Sequence, residues 1–465
     1  NWGMKDARWE PRIAFDNDPS YSYSEVAEVP WGDSYSALAG ARDGLAALAE
    51  GLTIEESGVD VTQRAIAFGK FVQGLAHYNL ARLYDQAFII DENTDLAAIE
   101  FVGPDQMFQA AMQKFDEALA IAQSNTFTIP TEWVGFGGAW SNTDMAAFIK
   151  AFKARAIIQM PRTVAEGDAI DWNGVLTLLA DGLPYDYQNY YDGQTWGWHR
   201  NKLHCGGRQT GWSRHDMYTI GPSDVSGGYE TWINQSDPWD KEPYDVVTPD
   251  SRISVPMTPQ TDGKYIEYMG NSPYPASRGI WTHSNYISYR HNYPDYVENE
   301  VNLIRAEAHY RLGQYDQARA LVNESRAIGD LPPFVTNENP VGTDMCVPQM
   351  PNGSCGDLWE ALKYEKRIEN FHFGSVSEFM DDRRWGDLFT GTWLELPVPG
   401  EELLLLLMEI YTFGGNAGNG APVSAHTFAD FANDFSQEAL SFKRQALDAR
   451  LRDLNVRPDV VGPVR

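Results

Sequence analysis

The stretch "YVENEVNLIRAEAHYRLGQYDQARALVNESRAI", residues 296–328, constrains this chain more than any other. Its apolar residues recur at three- and four-residue steps, the period of an amphipathic helix. The run breaks at Leu312-Gly313, so it reads as two helices joined by a tight turn. Ala306, Ala308, Ala318 and Ala320 are small enough to let the two approach closely. The order Ala308, Leu312, Gly313, Tyr315, Ala318 matches the core of a tetratricopeptide repeat. One such hairpin cannot bury its own apolar face, so it demands stacked neighbours.

Those neighbours are legible. In "TQRAIAFGKFVQGLAHYNLARLYDQA", Ile66, Phe68, Phe71, Val72, Leu75, Tyr78, Leu80 and Leu83 keep the helical period. Asp60 and Gln63 stand at capping-box spacing before it. "PDQMFQAAMQKFDEALAIAQS" reads as a degenerate second copy of the hairpin, followed by "SNTDMAAFIKAFKARAIIQM" and "DWNGVLTLLADGL". "GDLWEALKYEKRIENF" opens with Asp357 and Glu360 at capping-box spacing. A further helix with a thin apolar stripe is expected over 436–454. The fold class is therefore mainly α, a tetratricopeptide-like helical-hairpin scaffold. With 465 residues the chain is long enough for two or three domains.

Between the helical blocks lies a different region. Residues 185–296 are rich in Gly, Pro, Ser, Asn and Asp and show little periodicity. They hold six Trp and fourteen Tyr but no Phe, although the chain has 21 Phe. Rings with a polar handle suit places that are packed on one side and wet on the other. The expected organisation is a helical scaffold over 1–184, an aromatic loop-rich insert over 185–295, a hairpin and closing helix over 296–403, and a linker and helical tail over 404–465.

Charge narrows the partners. With 36 basic and 65 acidic residues the formal net charge is −29, which repels nucleic acid and anionic lipid surfaces. The longest apolar run, "LLLLLMEI" from Leu403, is far short of the roughly 20 residues that span a bilayer. The opening "NWGMKDARWEP" has no initiator Met, the start expected of a processed chain. Cys346 and Cys355 bracket a polar turn, where a disulfide would contribute roughly 2–3 kcal/mol and imply an oxidising compartment. Cys205 is then expected as a buried thiol.

Common catalytic signatures are missing: no G-x-S-x-G, H-E-x-x-H, phosphate-binding loop or dinucleotide fingerprint occurs. His199, His204, Cys205 and His215 crowd one stretch, but their spacing fits no common zinc pattern and nearby Arg residues oppose a cation. "DENTD", residues 91–95, starts like a calcium loop yet lacks the Gly at the sixth position and the Glu at the twelfth. No cofactor is expected, though the acidic charge leaves room for adventitious calcium. The best binding signal is the set Trp196, Trp198, Trp212, Trp232, Trp239 and Trp281, with Tyr286. A sugar offers an apolar C–H face to such rings and a hydroxyl rim to Asn, Asp, Arg and His. Any single Trp is more readily explained as packing for an irregular region; two or three of the set are expected at a ligand.

"YEKRIENFHFGSVSEFMDDRRWGDL", residues 364–388, looks like chemistry, with six carboxylates and four Lys or Arg. Glu365 and Glu369 share one helical column. The alternative is ion pairing that anchors one helix on another, with Glu365, Arg367, Glu369, Arg383 and Arg384 as ties.

The order of these segments, ending in this charged element and the following "ELPVPGEEL", resembles the SusD/RagB family over most of 31–403. The resemblance implies an α-helical outer-surface lipoprotein with a shallow ligand site in irregular loops. It implies non-catalytic capture of oligosaccharides, or in some members peptides, as the lid of a SusC-like TonB-dependent outer-membrane transporter. A lipid anchor is inferred, since the cysteine that carries it in relatives is not in this sequence. Residues 373–378 depart from the family pattern, and some 60 residues follow "PVPGEEL" where relatives usually end. Two other readings compete. One is an assembly protein using the insert and tail for protein contacts. The other is a carbohydrate hydrolase with carboxylates such as Asp186, Asp192 or Asp240.

Overall fold

The computed structural model describes residues 13–21, 23–134, 139–191, 215–235, 242–255, 263–270, 279–283, 291–338, 346–370, 376–415 and 423–424. The expected helix over 436–454 lies outside them. Long helices α1 (Glu25–Ala49), α2 (Thr62–Leu83), α3 (Pro104–Ser124) and α4 (Asn142–Gln159) pack in sequence, with α2 between α1 and α3. The shorter α5 (Trp172–Leu178) closes this block. The hairpin of α7 (Glu298–Arg311) and α8 (Tyr315–Ile328) follows the insert, and α9 (Leu358–Glu369) packs on both its helices. Then come α10 (Ser377–Trp385) and α11 (Gly400–Leu405). The chain is mainly α, as the helical periods require.

The hairpin turns at Leu312-Gly313, where Gly313 has φ +72°, a value that glycine reaches without a Cβ clash. Ala306, Ala308 and Ala318 are buried in the hairpin, but Ala320 is exposed. Asp357 caps α9, its Oδ1 accepting from Glu360 N–H at 3.0 Å. Asp60 does not cap α2 as expected. Its Oδ1 accepts from Thr62 N–H at 2.8 Å, and Val61 holds the N-cap position without a side-chain bond. A capping box that the residue types allowed occurs at α4. Ser141 Oγ accepts from Asp144 N–H and Asp144 Oδ2 accepts from Ser141 N–H. Because α2 is covered on several sides, it buries Arg64, Gln73, His77 and Arg82 along with its apolar stripe. Arg82 meets Gln159 Oε1 of α4 at 2.7 Å.

Among the described residues four apolar clusters result. The first centres on Phe71, Phe115, Trp140, Phe148 and Phe152 and reaches Tyr296 and Ile304. The second joins the two ends of the described chain: Phe15, Trp31 and Tyr84 pack with Trp393, Val398, Leu403, Ile410 and Phe413. Residues 404–413, grouped with the linker by sequence, thus supply part of a core. The third lies in the insert and includes Tyr364 and Ile368 of α9. The fourth fills the space between α7, α8 and α9 around Val322, Leu362 and Trp385.

The insert is less irregular than its composition suggests. Strands β1 (Tyr187–Tyr191) and β4 (His291–Tyr296) pair antiparallel at its two ends, drawing them together at the scaffold. Strands β2 (Ile266–Tyr268) and β3 (Trp281–His283) form a second antiparallel pair, with Tyr268 opposite Trp281.

The charged stretch 364–388 locks the parts together. Arg252 of the insert is fully buried and meets Asp250 Oδ2, Glu365 Oε2 and Glu369 Oε1, each at 2.6 Å. Tyr364 O–H donates to Asp250 at 2.6 Å, Ser325 O–H to Glu365 at 2.8 Å, and Tyr265 O–H to Glu369. Arg326 stands 3.8 Å from Glu365. Three carboxylates thus enclose one guanidinium group beside a second. Burial pushes the Glu365 carboxyl up, partly countered by Arg252.

A second set surrounds Glu307 of α7, which bonds Arg384, Lys366 at 3.3 Å and the Trp385 indole N–H at 2.9 Å. Burial pushes the Glu307 carboxyl up, but Arg384 and Lys366 outweigh it and hold it well below the usual range. Arg367 bridges Asp382 and Asp387, both at 2.7 Å. Arg383 donates to the carbonyls of Gln159 at 2.6 Å, Pro161 at 3.0 Å, Leu394 at 2.6 Å and Arg82 at 3.2 Å. It thereby closes the carbonyl ends of α2 and α4 with one planar fork.

Near the second cluster, Tyr411 O–H lies 2.8 Å from both oxygens of Asp85 and accepts from Gln86 Nε2 at 2.9 Å. Burial raises the Asp85 carboxyl to about 7, against a partial opposing effect of Tyr411.

Arg252→Met leaves three buried carboxylates facing fewer cations, and is expected to lower unfolding free energy by roughly 3–5 kcal/mol. Glu369→Gln removes one carboxylate of an excess and is expected to lower it by only about 1–2 kcal/mol. Denaturant titration of both variants checks the order; equal losses would contradict it.

The Asp85 carboxyl is protonated in the folded chain over a window in which the unfolded chain has lost its proton. Its contribution is complete below about pH 4 and is lost as pH rises toward 7. Asp85→Asn should therefore gain on the wild type by on the order of 4 kcal/mol between those limits, with no further change beyond them. Thermal unfolding of both proteins across that range measures the difference.

Candidate functional site

The ring set singled out by sequence divides. Trp196, Trp198, Trp212, Trp239 and Tyr286 lie outside the described residues. Trp281 is fully buried on β3, and its indole N–H donates to Ser254 O at 2.8 Å. That ring packs edge-on against Tyr268 and presents no face to a ligand. Its place in the third cluster corrects the expectation for this residue: short strands need a large ring to fill the space between them. Trp232, on α6 (Gly228–Ile233), is 2% exposed and belongs to the same cluster. It meets Tyr218 edge-on and lies parallel to Tyr229.

A cleft of about 390 Å³ lies beside Trp232, which contributes only an edge to it. The walls are Ser226, Gly227, Gly228, Thr231, Gln235, Glu242 and Tyr244. Ser226, Thr231, Gln235 and Glu242 are exposed, so the rim is polar and wet. Gln235 and Glu242 flank residues 236–241, the segment that carries Trp239.

One buried carboxylate shapes this cleft. Asp224 accepts five hydrogen bonds. Oδ1 receives Ser226 N–H at 3.1 Å and Val247 N–H at 2.9 Å. Oδ2 receives Ser226 O–H at 2.9 Å, Tyr229 N–H at 3.2 Å and Tyr244 O–H at 2.9 Å. Asp224 therefore fixes the loop before α6, the first turn of α6 and the strand-like run through 247. Gly228 is required here: a Cβ would lie 2.5 Å from the Tyr244 ring and 2.8 Å from Asp224 Oδ2. Burial is the main cause that pushes the Tyr244 hydroxyl well above the ordinary tyrosine range, and Asp224 adds to it, so the group stays a donor.

Cys346 and Cys355 form a disulfide with Cα atoms 5.5 Å apart. Their loop braces the cleft helix: Asn234 Nδ2 donates to Pro351 O at 2.9 Å, and Gln349 N–H donates to Pro222 O at 2.7 Å. Sequence gave no hint that this loop and α6 meet, since about 110 residues separate them.

The other candidates are engaged elsewhere. Asp186 Oδ1 accepts from Glu298 N–H at 3.0 Å and so serves the start of α7; Asp192 and Asp240 lie outside the described residues. His199, His204 and Cys205 also lie outside them, while His215 is buried and lies parallel to His283. In the acidic loop, Asp91 accepts from Asn93 N–H and pairs with Lys114 at 2.9 Å, so a resident cation holds its charge. Among the described residues no group of His, Cys, Asp and Glu is arranged to hold a metal ion. No described helix is long and apolar enough to cross a membrane.

No protein-family model matches the sequence, and no curated protein matches it. Solved structures do match in shape. A SusD-like protein from Bacteroides fragilis aligns with a TM-score of 0.50 at 14% identity, covering 83% of this chain and 85% of that one. A SusD superfamily protein from Bacteroides vulgatus aligns with a TM-score of 0.49 at 13% identity, covering 83% and 82%. Surface glycan-binding protein A from Bacteroides uniformis aligns with a TM-score of 0.46 at 13% identity, covering 83% and 77%. The match to the Bacteroides fragilis protein spans more than four-fifths of both chains, and on that ground this chain has the SusD-like fold.

Proposed function

We propose that this chain captures oligosaccharides at the outer surface of a bacterium, without turning them over, and passes them to a SusC-like TonB-dependent transporter. The observation that carries the reading is the polar-rimmed cleft in the insert of a SusD-like fold. A pyranose ring presents hydroxyls to a polar rim, and Ser226, Thr231, Gln235 and Glu242 supply donors and acceptors of the right kind. The aromatic segment 236–241 enters the chain between two of those rim residues. Retention at an outer surface through an N-terminal lipid belongs to the same proposal. So does the absence of turnover: the charged stretch that most resembled an acid–base site is occupied in holding helices together.

Isothermal titration calorimetry against a panel of α-glucans, β-glucans and peptides tests this. At least one oligosaccharide should bind, and Gln235→Ala and Glu242→Ala should each weaken it by about 5–20-fold. Asp224→Asn should weaken it further, because the cleft wall loses its organising acceptor. Binding of peptides alone would move the ligand class. Absence of any binding, or unchanged affinity in all three variants, would sink the proposal.

A further inference from the structure

Four consecutive apolar residues stand in solvent at the end of α11: Leu405, Leu406, Leu407 and Met408, with Leu407 69% exposed. The helix closes in a Schellman turn, with Leu407 N–H donating to Leu404 O at 3.1 Å and Met408 N–H to Leu403 O at 2.8 Å. That turn sets Leu407 at φ +58°, the left-handed region that glycine occupies freely and a side chain such as leucine does not. Leu407 thus runs against local preference twice, once in its backbone and once in its exposure. Folding requires neither. Glycine would serve the turn better, and a polar residue would serve the solvent better. Two independent penalties at one residue point to a gain made in contact with something else.

The surroundings specify what. Glu401 and Glu409 are exposed beside the leucines, and Glu402 reaches the side chain of Trp31 on α1. Glu28 of α1 lies near enough to Glu401 to feel its charge, and Glu25 and Asp33 are exposed on the same helix. No Lys or Arg occurs between Arg384 and Lys443, nor anywhere from Glu25 to Ala41. Among the described residues named here, the patch has an apolar centre with carboxylates beside it. A second copy would set like charge against like on chains of net charge −29, and an anionic lipid surface would be repelled.

We infer that Leu405–Met408 is a docking surface for another protein whose own patch is apolar at its centre and basic at its rim. The patch directly follows Leu403 and Leu404 of the second apolar cluster, whereas the cleft lies at the third, so this inference stands apart from glycan capture.

Fluorescence anisotropy with a dye-labelled Leu/Lys peptide of about five helical turns, patterned as an amphipathic helix, provides the test. A scrambled peptide of the same composition controls for bulk charge attraction. The intact protein should bind the amphipathic peptide on the order of tenfold more tightly than the scrambled one. Leu405→Ser combined with Leu407→Gly should abolish that preference. Leu407→Gly alone should hold Tm or raise it by about 1 °C, showing that the loss is not unfolding. Equal affinity for the two peptides, or a preference that survives in the double variant, would overturn the inference. So would a dimer in sedimentation velocity that Leu407→Gly dissolves, which assigns the patch to a second copy. Binding to phosphatidylglycerol vesicles that the variant loses would assign it to lipid instead.

Discussion

The structure depends on what happens around Arg252. Its guanidinium group belongs to the insert, while two of its three carboxylate partners, Glu365 and Glu369, belong to α9. Burying a charge this deeply is unfavourable unless every lone pair and proton finds a partner. Here Asp250, Tyr364, Tyr265, Ser325 and Asn299 complete the set. An apolar contact would tolerate sliding. This set does not, because a small displacement strands a charge. The insert is thereby held in one position on the helical scaffold, and the cleft it carries has a defined place.

Glu307 plays the corresponding part within the scaffold. It gathers Arg384, Lys366 and the Trp385 indole, drawing α9 and α10 against α7. Arg383 extends the hold to the carbonyl ends of α2 and α4. The stretch 364–388 is thus a joint between elements far apart in sequence. Its charge density, which first suggests catalysis, follows from the number of elements it has to join.

Much of this was legible beforehand. The hairpin at 298–328 and the Asp357 cap follow from local rules, because neighbours in sequence make those contacts. The Asp60 cap did not hold, since the paired turn before α2 takes up the last extended residues and shifts the start. Glu307 carried a signal that went unread: a charged residue between Ala306 and Ala308 on a face that must be buried. The aromatic insert is distinct in composition, which favours packing for any single ring but does not say which two or three of the set meet a ligand. Trp281 shows the packing role. Where strands are three residues long, side-chain volume has to do what ladder hydrogen bonds do in a larger sheet. The cleft itself could not be foreseen, because Asp224, Tyr244 and the disulfide loop meet only after long chain closures.

The five bonds at Asp224 separate two jobs that often compete. Loop shape is set by a buried carboxylate, and under the proposed function ligand choice falls to the exposed side chains of the rim. Gln235 and Glu242 are not among the groups Asp224 holds, so exchanging them alters what the cleft reads without refolding the loop. The ordering entropy is met before any ligand arrives. If the cleft binds as proposed, that arrangement makes the insert a platform on which new specificities can evolve by substitution at the rim alone.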